Sequence, residues 1–298
     1  MTEQKALLVT GASGQLGRRV VQHLRELYDG PIVVATRSPA KIANLAAQGI
    51  SVREADFDDP ITLERAFEST ARVLMISTDA HGIPGKRLQQ HQNAILAAKR
   101  AGVGHVLYTS LTRCEPGSPM KIASDHWGTE QALIASGLGY TILRNNLYAE
   151  IVLEFLPKAL SIGKIVAAAS DGSVAWIPRD DVALAAASAL HRPPEGNVVL
   201  DITGSAPVSY AELAAMAAAV SGRPLRYEAV SPEDLRQAMS GAGLPEHVVD
   251  VLISFQLAAG KGDLAVCTDA VAQLMGRGPM SMRTFLDEHS AKLREAVA

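Results

Sequence analysis

The feature that most constrains the fold is a glycine-rich turn that joins an apolar run to a helix near the start of the chain. Residues 6–10 predict a buried strand, and a helix is predicted from the turn to about residue 28. Gly11 permits a sharp exit from the strand, Gly14 lets the backbone approach a pyrophosphate, and Gly17 allows the helix to pack closely on the sheet. The N–H groups and the positive end of the helix dipole then face an anion, which predicts a dinucleotide-binding loop. The alternative is a glycine-rich turn without a ligand. The turn residues predicted to contact the cofactor are Gly11, Ser13, Gly14, Gln15, Leu16 and Gly17.

The rest of the first half alternates apolar runs with helical segments. Continuous apolar runs are typical of strands that are covered on both faces. Ser38 and Asp59 each precede a proline, which is the pattern of a helix start, and two more helices are predicted at 86–101 and 123–136. This order predicts an α/β fold of the Rossmann type, with a doubly wound parallel sheet. Further strands are predicted at residues 31–36, 49–53, 72–76, 105–110 and 140–144.

The strand–helix alternation breaks after about residue 150. One more strand is predicted at 198–203, and capping patterns begin helices at Ser209 and Ser231. We therefore expect an NAD(P)-binding domain at residues 1–150 and a smaller, mainly helical substrate-binding region at residues 151–298. No linker separates them, so the two parts may interleave, and a cleft between them is the expected place for a substrate.

Composition excludes several other classes of protein. The chain has 28 Lys and Arg against 31 Asp and Glu, a balance that predicts no nucleic-acid partner. Cys114 and Cys267 have neither disulfide-framework nor zinc spacing. No apolar run has the length of about 20 residues that spans a bilayer, and the N-terminus leaves no room for a signal peptide. We expect a reduced, cytoplasmic protein without a membrane partner, and a homodimer remains open.

Residues after the second, third and fourth strands predict how the rest of the cofactor binds. Arg37 stands where an acidic residue would bind a ribose hydroxyl, and a guanidinium suits a 2′-phosphate, so NADP(H) is predicted over NAD(H). A solvated arginine is the alternative. Asp56 is placed to accept from the adenine amine, or else to cap the next helix. Ser77 and Thr78 are small polar residues that allow the middle of the cofactor to approach.

Several blocks in combination resemble the NmrA-like branch of the atypical short-chain dehydrogenases. The resemblance covers most of the chain and is greatest to type 2 NAD(P)H:quinone oxidoreductases and to triphenylmethane and azo-dye reductases. It implies an extended Rossmann domain, a small C-terminal substrate domain and reduction by NADPH without flavin or metal. The blocks are TGASGQLG at residues 10–17, ATRSPAK at 35–41, YTSL at 108–111, DHWGTE at 125–130 and LRNNLYAE at 143–150.

The chain lacks the Tyr-x-x-x-Lys pair with which ordinary short-chain dehydrogenases deliver a proton. His126 and Glu130 stand in the equivalent stretch and share a helix face, but a carboxylate cannot replace the lysine cation. His126 either donates a proton or hydrogen bond to the substrate or has a structural role. A zinc site built on the same pair lacks a third ligand.

Other candidate residues follow the fifth and sixth strands. Ser110 is predicted to bond a substrate oxygen, while Tyr108 is either catalytic or part of the core. The resemblance places Asn145, Asn146 and Tyr148 near the nicotinamide and the acceptor, and local turn chemistry is the alternative for the asparagines. For Lys121, a solvated side chain is predicted in preference to a contact with ribose or phosphate. Candidate aromatic walls, which core packing would also explain, are Trp127, Phe155, Trp176 and Phe255.

An intact cofactor loop beside a missing proton-donor pair favours one reaction. Hydride addition to a quinone or a related polycyclic aromatic acceptor spreads charge over a π system and needs mainly orientation. We therefore predict an NAD(P)H-dependent reductase whose partner is a small aromatic or quinone substrate. Two alternatives remain: a regulator that senses NAD(P) without turning it over, and a tailoring reductase or oxygenase of aromatic natural products.

Overall fold

The computed structural model describes residues 5–80, 83–193 and 195–295. In that part of the chain, seven parallel strands form a central sheet, and four short strands form two small ribbons. The strands are β1 Ala6–Thr10, β2 Ile32–Thr36, β3 Ser51–Glu54, β4 Thr70–Met75, β5 His105–Leu111, β6 Gly139–Asn145, β7 Lys164–Ala167, β8 Ser173–Val174, β9 Val198–Ile202, β10 Val208–Ser209 and β11 Arg226–Ala229. The order across the sheet is β3-β2-β1-β4-β5-β6-β9. The Rossmann-type prediction is confirmed.

Helices cover both faces of this sheet, because the strand side chains alternate between two apolar layers. Leu7 and Val9 of β1 belong to one buried cluster, and Leu8 between them belongs to the other. The first helix and the sixth lie on the first face, and the second, third and fourth helices lie on the opposite face. The helices are α1 Gln15–Leu27, α2 Pro60–Phe67, α3 Lys86–Arg100, α4 Ala123–Ala135, α5 Val152–Ile162, α6 Arg179–His191, α7 Tyr210–Ser221, α8 Pro232–Gly241, α9 Glu246–Gly260, α10 Ala270–Met275, α11 Met282–Glu288 and α12 Ser290–Glu295.

The second half contributes to the sheet and also builds a separate apolar cluster. Strand β9 pairs with β6, and α6 packs on α1. Helices α5, α7, α11 and α12 instead gather around a third buried cluster that contains Trp176 and Tyr210. The ribbons are antiparallel β8–β10 and parallel β7–β11. None of the helices in the described ranges has both the length and the apolarity needed to cross a membrane.

The local signals were accurate for most elements. Ser209 and Glu212 form a complete capping box, Ser231 caps α8, and the Asp59 side chain accepts from the Ile61 N–H. The helix predicted after Ser38 is different: Pro39–Gln48 is a 3-10 segment that kinks at Ile42. Ser38 makes no side-chain cap there, and the kink accompanies the burial of the Ile42 side chain in the core. The strands β7, β8, β10 and β11 were not predicted, because runs of two to four residues give little periodicity.

Candidate active site

A cavity of about 590 Å³ lies at the carboxyl edge of the sheet, around the point where the strand order turns from β1 to β4. Open parallel sheets bind ligands at such a switch point. Most of the predicted site residues line this cavity, although they come from the ends of five different strands and from α4. They are Gly11, Ser13, Gly14, Gln15, Leu16, Gly17, Arg37, Ser77, Thr78, Ser110, His126, Asn145, Asn146 and Tyr148. Three others, Asp56, Tyr108 and Trp176, are not among the lining residues.

The glycine loop has the geometry that its sequence predicts. Gly11 adopts a φ of +60°, which glycine tolerates and most residues avoid. A Cβ on Gly17 would lie 2.3 Å from the carbonyl oxygen of Gly11 and 2.8 Å from the Cα of Ala12. Gly14 caps α1 without a side-chain hydrogen bond, and no acidic residue occupies the first turn. The first N–H groups of α1 therefore point at the cavity as donors for an anion.

Short hydroxyl side chains hold the loop and the neighbouring strand ends together. Thr10 Oγ1 donates to the Leu74 carbonyl at 3.2 Å and accepts from the Ile76 N–H at 3.0 Å, which ties β1 to β4. Ser13 Oγ lies 2.9 Å from Oγ1 of Thr36 at the end of β2. The floor of the cavity is thus formed by strand ends that side-chain hydrogen bonds join to one another.

Arg37 lies at an outer part of the cavity lining, with its guanidinium exposed. Its side chain is 62% exposed, and Asp79, 3.9 Å away, is 87% exposed, so this pair contributes little to stability. Asp56 does not cap the next helix as its second predicted role requires, because the N-cap of α2 is Asp59. The Asp56 carboxylate accepts from the Asp58 N–H at 2.9 Å, in a turn that precedes α2.

His126 is held by a buried chain of hydrogen bonds behind the cavity wall. The His91 Nε2 accepts from the Thr78 N–H at 3.1 Å, so the proton of the neutral His91 ring is on Nδ1 and is donated to Thr129 Oγ1 at 2.9 Å. Burial, followed by the charge of a nearby arginine, lowers the pKa of His91 to about 3, which keeps this ring neutral. The Tyr108 hydroxyl is hydrogen-bonded to His126 Nδ1 at 2.8 Å, which fixes the orientation of the His126 ring.

Tyr108 is fully buried, which explains why it orients His126 rather than lining the cavity. It stands in β5 between Met75 of β4 and Ile142 of β6. Burial raises the pKa of the Tyr108 hydroxyl far above its usual range, so the phenol keeps its proton.

Ser110 is oriented by a second buried network that is centred on Glu130. Its hydroxyl donates to Glu130 Oε1 at 2.5 Å. The Glu130 carboxylate is 1% exposed and accepts twice from Arg144, with Nε at 2.9 Å and Nη2 at 2.7 Å. Arg144 also pairs with Glu115. Because the Ser110 hydroxyl donates its proton to Glu130, Ser110 can only accept a hydrogen bond from a ligand in the cavity.

Cys114 lies against the same carboxylate. Its thiol donates to Glu130 Oε1 at 3.3 Å. Burial, and then the charge of Glu130, raises the pKa of the thiol to about 12. Cys114 is therefore a packed, protonated thiol rather than a nucleophile.

The far wall of the cavity combines an aromatic ring, an amide and a cation. The Asn145 Nδ2 donates to the Tyr148 hydroxyl at 3.3 Å, and the Arg179 guanidinium lies 4.9 Å from the centre of the Tyr148 ring. Glu150 accepts from the Arg179 N–H at 3.1 Å. Asn146 lines the cavity, while its Nδ2 donates to the Leu264 carbonyl at 2.9 Å.

The candidate aromatic residues divide into one wall and three core residues. Phe255 lines the cavity. Trp176 is 3% exposed and packs edge-to-face on Tyr210, and Trp127 and Phe155 pack against the same cluster. Lys121 is exposed and does not line the cavity, as the sequence favoured.

Several lining residues were not proposed from the sequence. Arg179 begins α6, but nothing in the local sequence distinguishes it from any other surface cation. Phe57 follows Asp56, and an alternation of side chains beyond β3 could have indicated that one of the two faces the cavity. Gln90 lies on α3, which was correctly predicted, but the sequence does not indicate that its side chain is buried at the cavity.

Within the described ranges, no three His, Cys, Asp or Glu side chains come together in a way that could hold a metal ion.

The strand order and the glycine loop define a Rossmann-type α/β protein. The NmrA-like family model matches residues 3–286, and the chain belongs to this family. Quinone oxidoreductase 2 of Escherichia coli K12 is 37% identical over 271 residues, which cover 91% of this chain and 93% of the relative. The resemblance inferred from the sequence is confirmed.

Two solved structures are also similar to this chain. One is the crystal structure of the NADPH-dependent quinone oxidoreductase from Escherichia coli in complex with NADPH. It has a TM-score of 0.89 and 36% identity, and the match covers 96% of this chain and 99% of that one. The other is the triphenylmethane reductase of Citrobacter sp. in complex with NADP(H), with a TM-score of 0.88, 32% identity and coverage of 96% and 99%.

Proposed function

We propose that this chain is an NADPH-dependent reductase that transfers hydride directly to a quinone or a comparable polycyclic aromatic acceptor. The similar proteins support the class of reaction, since one is named a quinone oxidoreductase and another a triphenylmethane reductase. The observation that carries the proposal for this chain is the cavity itself. It joins an anion-binding glycine loop to a wall of Ser110, His126 and Tyr148.

The residues present fit a dinucleotide along the whole cavity. The loop leaves no room for a Cβ at Gly17 and directs helix N–H groups at the site where a pyrophosphate would bind. Thr78 Oγ1 and Asn145 Oδ1 are buried lining atoms without a hydrogen-bond partner among the described residues. An unmade hydrogen bond of this kind costs about 1–3 kcal/mol, so these atoms favour a polar ligand beside them.

The preference for NADPH over NADH is proposed to depend on Arg37. Its guanidinium is exposed at the cavity, and its one ion pair with a described residue is the long contact to Asp79, so it is available to a 2′-phosphate. Arg37→Ala should raise the Kd for NADPH about tenfold and leave the Kd for NADH nearly unchanged. An equal loss for both nucleotides in a fluorescence titration would contradict this assignment.

The residues of this chain orient the reactants and form hydrogen bonds of a defined direction with them. A bound nicotinamide coenzyme supplies the hydride, and the acceptor gains two electrons and one proton from it. His126, whose Nδ1 is hydrogen-bonded to Tyr108, is proposed to carry a proton on Nε2 and to donate it in a hydrogen bond to an acceptor oxygen, while solvent supplies the second proton of the reduced product. Because its hydroxyl donates to Glu130, Ser110 is proposed to accept a hydrogen bond from the ligand, which is the opposite of the donor role expected from the sequence.

We also propose that residues 1–150 bind the nucleotide and that residues 151–298 complete the substrate wall. Ile151, Arg179 and Phe255 line the cavity from the second part, which supports this division. The two parts interleave, because β9 lies in the sheet beside β6. Phe255 and Tyr148 provide aromatic surface suited to a flat acceptor.

The test is to follow NADPH absorbance with a panel of quinones and triarylmethane dyes. Oxidation that depends on both protein and acceptor supports the reductase. Tight NADPH binding without turnover across the whole panel would refute it and favour a dinucleotide sensor. His126→Gln retains an amide donor near the Nε2 position and should keep more activity than His126→Leu. Equal activities would remove His126 from the proposed donor role.

A further inference from the structure

A chain of three polar side chains ends at the cavity on the side of β3. The Lys86 ammonium lies 2.6 Å from Asp58 Oδ1, and the Gln90 Nε2 donates to Asp58 Oδ2 at 3.1 Å. The hydrogen bond from Lys86 lowers the pKa of the Asp58 carboxyl, which is therefore ionised and can only accept. The Gln90 amide is consequently held with its nitrogen toward Asp58 and its oxygen away from it.

The oxygen of this amide is left without a partner among the described residues. Gln90 lines the cavity and is 5% exposed, and its Oε1 is buried without a hydrogen-bond partner among the described residues. An exposed amide oxygen can form a hydrogen bond with water, but a buried amide oxygen without a partner lowers the stability of the protein. A residue that lines the cavity therefore carries a buried acceptor of fixed orientation, and a ligand with an N–H donor would satisfy it.

The surroundings of Gln90 indicate the shape of that ligand. Ala55 and Phe57, both buried, line the cavity just beyond the end of β3. The helix end that suits the pyrophosphate is at Gly14, near the middle of the sheet, and Asn145 lies on the opposite side of β1 from β3. An apolar surface with one buried acceptor suits a flat heteroaromatic ring that carries an N–H donor.

We propose that Gln90 Oε1 recognises the exocyclic amine of the cofactor's adenine, with Asp58 and Lys86 as positioning residues. This assignment rests on the proposed NADPH function and deepens it. It replaces Asp56 in that role, because the Asp56 carboxylate accepts from the Asp58 N–H and does not line the cavity. It also explains why an ion pair at the start of α3 is joined to a buried amide.

The test compares NADPH with its hypoxanthine analogue, in which a carbonyl replaces the amine. In wild type the analogue presents an acceptor to an acceptor, and the amide cannot rotate without placing Oε1 against the Asp58 carboxylate. We expect NADPH to bind about 5- to 10-fold more tightly than the analogue in direct calorimetric titrations. Gln90→Met should bring the two dissociation constants together, whereas the control Gln89→Met, at an exposed position of the same helix, should preserve the ratio.

A second variant tests the orientation without removing the amide. Asp58→Asn can donate to Gln90 Oε1, which allows the Gln90 amide to rotate and offer its N–H groups to the analogue. The preference for adenine should therefore weaken although Gln90 is intact. If wild type binds both nucleotides and neither Gln90→Met nor Asp58→Asn changes their ratio, the Gln90 assignment is wrong while the cofactor stands. If folded wild type binds neither nucleotide, the proposed cofactor is wrong as well.

Discussion

The buried pair between Glu130 and Arg144 should be the most sensitive electrostatic contact of the site. Glu130 is 1% exposed, and Arg144, at 13%, reaches it with two nitrogens while also pairing with Glu115. Glu130→Gln keeps the shape of the side chain but leaves Arg144 with one carboxylate in place of two. Removing one partner of a buried pair costs about 3–5 kcal/mol. Because Glu115 remains, we expect a loss near the lower end, about 3 kcal/mol in the free energy of unfolding.

Equilibrium unfolding in urea measures this loss, and an exposed pair on the same chain provides the control. Arg283 and Asp287 lie 3.1 Å apart on α11 with side chains about half exposed, so Asp287→Asn should cost no more than about 0.5 kcal/mol. Replacing both Glu130 and Arg144 by apolar residues should cost less than the two single changes added together. If Glu130→Gln costs as little as Asp287→Asn, the inference that this pair is buried and tightly coupled is wrong.

Two further predictions concern the loop and the buried histidine. Gly17→Ala should abolish NADPH binding in a fluorescence titration, because its Cβ would lie 2.3 Å from the Gly11 carbonyl oxygen; unchanged affinity would contradict the packing. His91 has a folded pKa of about 3, below its unfolded value, so the unfolded chain takes up the proton first and stability falls as the pH drops from about 6.5 toward 3. Urea titrations should show wild type losing up to about 1.4 kcal/mol per pH unit in this window relative to His91→Gln, and parallel curves would refute the assignment.

The predictable part of the site consists of residues whose roles depend on the local backbone conformation. Gly11, Gly14 and Gly17 were identified because only glycine fits a positive φ or a contact without a Cβ. Ser77 and Asn145 were located because parallel strands place their carboxyl ends on one edge of a sheet. Neither inference requires knowledge of how distant side chains meet.

The misplaced residues show where this kind of inference stops. The sequence leaves a catalytic and a core role open for Tyr108, and strand alternation places it in the core, where it is hydrogen-bonded to His126. Trp176 is a candidate for the substrate wall by its sequence, but it packs on Tyr210 in the third buried cluster. An aromatic side chain suits a cavity wall and an apolar core equally well, and only tertiary packing decides which of the two it joins.

The sequence by itself determined the Rossmann-type sheet, the position of the glycine loop and the absence of a Tyr-Lys pair, because each depends on short-range periodicity or on the backbone needs of single residues. Only the tertiary structure decided the direction of the hydrogen bonds. Ser110 donates to Glu130, which lies 20 positions away in sequence but 2.5 Å away in space, so Ser110 can only accept from a ligand, and the His126 ring is held at Nδ1 by Tyr108, which lies 18 positions away. Such polarity is a property of buried networks, where each proton has one best acceptor, and no local pattern of residues encodes it.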